Sequence, residues 1–273
     1  MKHMMETVSD GPLFQQRILA DLAPSYLLAH SGILEGDSFE SLRAILLSLS
    51  NALSNLLMPV CEYPDLIAPY LPGHSPGHEL VHKIAMASER LCELNQYLVR
   101  LCHGHEGTPA HVDLALLAHE VLVDLFQHQA GLDSASVELE IDDQPSVLTG
   151  LYDALYHMVR DLCVNAFQSM GPDGALSVRV GSLAIPADGL LHRLGVLPAS
   201  YLVLQIKDNG PGIAPACRHT LFDPFVSTTP GEGHGLGLCS VYRTVRHLHG
   251  TILYNPEGGS GSNFLLFFPK ETP

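Results

Sequence analysis

The chain has 273 residues, a formal charge of −15 at pH 7 with histidine neutral, and only 16% charged residues. That balance excludes nucleic acid and anionic membrane surfaces as partners, because both require basic patches, and it leaves a basic protein surface open. The length suits one large domain or two modest ones, and an apolar share of 46% can fill a core.

The first ten residues hold no apolar core and so form no secretion signal. No apolar run is read as reaching membrane-spanning length, so membrane insertion is not expected and any input is soluble or a partner. Residues 1–36 read as a helical arm: 13–30 has a helical look, interrupted at Pro24, and is too short for a sensor domain.

From residue 37 the pattern sharpens. Leu42, Leu46, Leu49, Leu53, Leu56 and Val60 recur in steps of three and four, as do Leu80, Ile84, Ala87, Leu91, Leu94, Leu98 and Leu101. Each set is a coiled-coil seam on a helix of several turns. The segment 64–76, rich in proline and glycine, is expected to break the helix between them, which gives a helical hairpin over 37–104. A hairpin with one narrow seam buries more by pairing with a second copy, so a homodimeric four-helix bundle is expected. Cys102-His103-Gly104-His105 with His111 matches no common zinc spacing and reads as a polar linker. The six cysteines form no Cys-x-x-Cys pair and read as reduced thiols, in keeping with a cytoplasmic location.

A second domain is expected over 110–273. It holds a helix at 112–129 with Asp113 as N-cap, a strand at 136–141, a helix at 151–170 and a strand at 176–185. A loop at 186–198, a strand at 201–207, a helix at 238–248 and closing strands at 252–254 and 264–268 complete it.

Four motifs inside that domain describe one nucleotide pocket. Asp208-Asn209-Gly210-Pro211-Gly212 offers a carboxylate, an acceptor only, to a purine amine, and Gly210 and Gly212 allow a tight turn beside a base. The helix at 151–170 is apolar on most sides, yet Asp153, His157, Asp161 and Asn165 recur every four residues and share a face. A polar stripe on a mostly buried helix is costly unless it lines a site, and Asn165 can give magnesium a hard oxygen ligand. Gly233, Gly235 and Gly237, followed by Leu238, lead into a helix whose free N–H groups and positive dipole end suit phosphate. Phe222-Asp223-Pro224-Phe225 stands between these motifs.

In this order and spacing, together with Gly259-Ser260-Gly261-Ser262-Asn263-Phe264, the motifs resemble the ATP-binding domain shared by sensor histidine kinases, DNA gyrase, heat-shock chaperone ATPases and mismatch-repair ATPases. The likeness, closest to histidine kinases, covers about residues 110–269. It implies an α+β chain: an N-terminal hairpin followed by an α/β-sandwich ATPase domain with a mixed sheet and a lid between Phe225 and Gly235. ATP and magnesium are the implied cofactors, with Asn165 a magnesium ligand. Asp161 stands where gyrase-like members carry a catalytic carboxylate and is a second candidate ligand. A response regulator or partner kinase is the implied partner.

The hairpin resembles the histidine-kinase dimerisation region around Asn55-Leu56-Leu57-Met58-Pro59-Val60. In that family the phosphate-accepting histidine precedes this proline by eight residues, and Asn51 holds that place. A carboxamide has no lone pair basic enough to attack a phosphoryl group. Ser48, Ser50, Ser54, His74, His78 and His82 are the other acceptors near by. The family's cation after the second lid threonine is replaced by Pro230, and the one beside the magnesium asparagine by Ala166. Arg218 and Arg243 are the candidates to compensate. Nucleotide binding is expected to survive these departures, and phosphoryl transfer to suffer. The expected function is a cytosolic signal-transduction protein of this family that binds ATP and magnesium without self-phosphorylation at position 51. The competing reading is a degenerate homologue that regulates or scaffolds a kinase or response regulator.

Overall fold

The computed structural model describes residues 4–22, 26–31, 37–72, 75–103, 107–128, 135–171, 173–187, 189–226, 235–255 and 261–270. His74, Gly233 and the lid residues 227–234 lie outside them. The chain divides into two compact units, Met1–Gly32 with His105–Pro273, and Ile33–Gly104.

The larger unit is built on a mixed sheet of order β1-β4-β6-β7-β9-β8-β2. Its strands are β1 (Met4–Ser9), β2 (Leu27–Leu28), β4 (Ser136–Asp142), β6 (Ala175–Ala184), β7 (Ser200–Asp208), β8 (Thr251–Tyr254) and β9 (Asn263–Pro269). β1, β4 and β6 run parallel, and the remaining pairs are antiparallel. A separate two-stranded sheet pairs β3 (Ala110–Asp113) with β5 (Val147–Gly150). It leads into α4 (Leu114–His128), where Asp113 Oδ1 accepts from Ala115 N at 3.0 Å and caps the helix.

Strand alternation sends the two faces of the sheet to different layers. Val178, Val180, Leu204 and Leu266 are fully buried on one face, and the helices that pack on the sheet there are α4, α5 (Tyr152–Ser169) and α7 (Gly237–His247). Phe126 and Phe167 join α4 to α5 edge to face. The opposite face carries Leu183, Val203, Leu253, Leu265 and Phe267, closed by Phe14 and Ile18 of α1 (Gly11–Ala20) and by Tyr26.

The stretch 1–36, expected to be a helical arm, is therefore built differently. Residues 4–9 and 27–28 add a strand to each edge of the sheet, and α1 roofs the face between them. Among the described residues of the expected 13–30, the helix covers 13–20 as part of α1, which is opened by Asp10, whose Oδ1 accepts from Leu13 N at 3.0 Å. Buried charges tie the roof down. Glu140, fully buried, is met by Arg17 at 2.9 Å and Arg179 at 3.0 Å, and Ser9 Oγ donates to it at 2.8 Å. Asp21 pairs with Arg179 and with Lys207 at 2.7 Å. Burial opposes the Asp21 charge, but the two cations prevail and hold its carboxyl below the usual range.

The smaller unit is a hairpin of α2 (Asp37–Ile67) and α3 (Gly77–His103). α2 does not stop at Pro64, as expected, but continues through Pro59 and Pro64 to Ile67 and a 3₁₀ turn, Ala68–Tyr70. Packing against α3 offsets the two backbone bonds these prolines remove, and Pro64 itself is buried. The contact between the helices uses small and polar groups: Asn95 Nδ2 donates to the Ser50 carbonyl at 3.1 Å and to Ser54 Oγ at 2.7 Å. Much of the expected leucine seam is not spent there. Leu49, Leu56, Leu80, Ile84 and Leu91 stay about half exposed or more in the single chain.

One helix bears on the expected lack of a membrane-spanning stretch. By length and composition the helix at Ile45–Tyr70 is apolar enough to cross a bilayer, with mean hydropathy 1.3. The prolines and scattered polar residues hid this from a reading by uninterrupted runs.

Candidate functional site

β7 runs out of the sheet into the Asp208-Asn209-Gly210 turn. Asp208 is buried, and its Oδ1 accepts from Gly210 N at 2.8 Å and Ser262 N at 3.1 Å. Burial pushes its pKa up, and these hydrogen bonds oppose the rise. The turn is pressed against the end of α5: a Cβ on Gly210 would stand 2.8 Å from Ser169 Oγ. Asn209 Oδ1 accepts from Ala175 N at 2.9 Å and fixes the turn to β6. Gly261, at φ 86°, lies so close beneath that an added Cβ would overlap the Asp208 carbonyl at 1.7 Å. Gly261 thus serves the backbone of the acidic turn; residues 259 and 260 of its motif lie outside the described residues.

α5 presents the polar stripe as expected. Asp153 is exposed, His157 and Asn165 are half-buried, and Asp161 is buried. Asn165 Nδ2 is buried without a hydrogen-bond partner among the described residues, so its amide is available to an occupant. α7 begins against this stripe. A Cβ on Gly237 would lie 3.6 Å from both Asn165 Nδ2 and Asp161 Cβ. Among the described residues no side chain caps α7, so its first N–H groups remain for an anion. Leu236 is buried and Leu238 half-buried at this entry.

The described residues on either side of 227–234 are pinned together. Phe225 N donates to the Gly235 carbonyl at 2.8 Å, and Gly235 adopts φ 63° where a Cβ would meet the Phe225 carbonyl carbon at 2.6 Å. Gly212, at φ 75°, is likewise in the left-handed region that glycine favours. Phe222 is packed among the rings of Tyr242, Tyr254 and Phe264.

Two features escaped the sequence reading. Ser31, buried, donates to Asp223 Oδ1 at 2.7 Å, so the N-terminal segment holds the Phe222-Asp223-Pro224-Phe225 stretch. Cys239 lies behind Gly237; burial, with the Asp161 charge near by, pushes its thiol up to about 12. No sequence signal marks Ser31, whereas Cys239 could have been found one step inside the glycine helix. Of the two candidate cations, Arg243 stands on α7, where its charge reaches Cys239 and His247. Arg218 follows a 3₁₀ turn and accepts Tyr254 OH at its carbonyl, 2.7 Å away.

The structure brings Asp161, Asn165, Gly235, Gly237 and Leu238 into one region, and Asp208, Gly210 and Gly212 into the turn at the end of α5. In the hairpin, Asn51 is exposed on α2. Ser48 and Ser54 are exposed beside it, and Ser50 is fully buried. On α3, His78 is half-buried and His82 exposed.

Residues 150–272 match the family described as histidine kinase-, DNA gyrase B-, and HSP90-like ATPase. The sensor kinase CckA of Brucella abortus is 26% identical over 225 residues, 81% of this chain and 23% of that protein. Sensor histidine kinase ZraS of Escherichia coli is 25% identical over 226 residues, covering 81% of this chain and 44% of that one. Among solved structures, full-length ShkA in complex with AMPPNP superposes with a TM-score of 0.65 at 20% identity, over 85% of this chain and 47% of that one. The chain thus spans less than half the length of these relatives.

Proposed function

We propose, from the premise that this chain belongs to the sensor histidine kinase family, that it is a signal-transduction protein that binds ATP and magnesium on the cytosolic side and does not phosphorylate itself at position 51. The observation that carries the nucleotide half is the meeting of α7 with α5: an uncapped helix start set against an amide with a buried, partnerless nitrogen. Asp208 would accept the purine amine, Gly235, Gly237 and Leu238 would line the phosphates, and Asn165, with Asp161 beside it, would ligate magnesium. Bound there, the nucleotide supplies a phosphoryl group for transfer. The protein's part is to orient that group and exclude water under the lid.

The hairpin supplies the second half. Asn51 is solvent-exposed, as an acceptor would be, and its carboxamide is not nucleophilic. The exposed leucines on both helices favour pairing with a second copy. α3 also carries Glu79, Lys83, Glu89, Arg90 and Glu93, which supports a protein partner for this hairpin over lipid. A response regulator or partner kinase would dock on it. The absence of a cation beside Asn165 and after Thr229 favours the second reading, a regulator whose bound nucleotide sets its conformation without transfer.

Calorimetric titration with AMPPNP, with and without magnesium, tests the nucleotide half. Saturable binding that strengthens with magnesium and is lost in Asp208→Asn is the expected result. Equal titration of both proteins would place the nucleotide elsewhere.

A further inference from the structure

Two thiols face each other between α2 and α3, and nothing in the nucleotide chemistry uses them. Cys61 on α2 donates its S–H to the Ser88 carbonyl at 3.7 Å. Cys92 lies one turn beyond Ser88 on the same side of α3 and hydrogen-bonds Cys61. Both are half-buried and open to small solutes, whereas Cys102, Cys163 and Cys239 are buried. The shared hydrogen bond, helped by burial, pushes the Cys92 thiol up to about 11. Cys61, whose side chain reaches across to α3, is the sulfur placed to attack.

The place matters as well. Cys61 stands between Pro59 and Pro64, each of which removes a backbone donor from α2. A cross-link there would fasten α2 to α3 where the helix has fewest bonds of its own.

We propose that Cys61 and Cys92 are a redox-sensitive pair that closes to an intrachain disulfide when a hydroperoxide reaches the hairpin. The Cys61 thiolate attacks one peroxide oxygen; the O–O bond breaks, hydroxide leaves, and Cys61 becomes a sulfenic acid. The Cys92 sulfur then attacks the Cys61 sulfur; the S–O bond breaks, and the hydroxyl departs as water with the Cys92 proton. Two thiols are oxidised and one peroxide is reduced. A dithiol reductant reverses the step by exchange. The hairpin's two helices, tied in this way, lose freedom to slide or turn against each other.

The test uses the full-length chain and does not depend on nucleotide binding. Reduced protein is exposed to a molar excess of hydrogen peroxide, denatured, alkylated with N-ethylmaleimide, weighed intact and mapped by proteolysis. The number of alkylated thiols is expected to fall by two from the six in the sequence. A peptide pair joined through Cys61 and Cys92 should appear, and dithiothreitol should restore full alkylation. In Cys92→Ser, Cys61 is expected to be trapped by dimedone as a sulfenic acid. Full alkylation after peroxide, or a bridge between two chains or through any other cysteine, would overturn the proposal.

Discussion

Gly237 rests against Asn165: a Cβ at position 237 would lie 3.6 Å from the asparagine Nδ2, an ordinary contact that fills the space between α7 and the polar stripe of α5. Gly237→Ala should therefore fold normally, with a stability change within about 1 kcal/mol. The added methyl should nonetheless weaken ATP binding by about tenfold, or ~1.4 kcal/mol, measured by calorimetry. Unchanged affinity would separate the glycine helix from the phosphate site.

Asp208 separates binding from stability. Its pKa is raised by burial above the ordinary 3.8, so its protonated form is the one the fold favours. The stability it adds is present at low pH and lost as pH rises through the folded value. At neutral pH, Asp208→Asn is thus expected to melt within about 1 kcal/mol of wild type while losing ATP affinity. A variant that binds as wild type does, or one that is unfolded, contradicts this division.

Asp21 has the opposite sign. Lys207 and Arg179 hold its pKa below 3.8 against the effect of burial. Its contribution is complete above about pH 4 and disappears as pH falls through the lowered value. Asp21→Asn should cost about 1–3 kcal/mol at pH 7. Thermal melts should show the gap between variant and wild type closing in strong acid. A constant gap at all pH values would count against the ion pairs.

The N-terminal segment is part of the ATPase unit, so its removal should damage that unit. Phe14 and Ile18 are fully buried, and each such side chain contributes about 1.5–3 kcal/mol. A chain lacking residues 1–31 is expected to unfold at markedly lower denaturant, or to aggregate through the uncovered sheet face. An unchanged midpoint would show that α1 is dispensable.

The exposed leucines predict assembly. Full-length protein should sediment as a dimer, and Leu49→Glu with Leu91→Glu should yield a folded monomer, read by velocity sedimentation and circular dichroism. A monomeric wild type would remove the four-helix bundle from the account.

The parts legible in the sequence were those with local signals. The strand before Asp208 and the four-residue recurrence from Asp153 to Asn165 on one helix stand where spacing put them, and Gly212 adopts the left-handed backbone that a tight turn uses. What stayed hidden depends on distant partners. β1 pairs Met4 with Val137, and β2 pairs Leu27 with Tyr254, and no local pattern encodes such contacts. The hairpin misled in another way: its apolar period is real, but polar contacts of Ser50, Ser54, Ser88 and Asn95 also cross between the helices, and the apolar period does not mark them.

The most direct test of the central claim is incubation of the pure chain with magnesium and γ-labelled ATP, beside an Asn51→His variant, after both are shown to bind the nucleotide. Wild type is expected to bind and to remain unlabelled under neutral conditions that preserve phosphohistidine. Stable incorporation of label into the wild-type chain, or failure of the wild type to bind ATP at all, would contradict it.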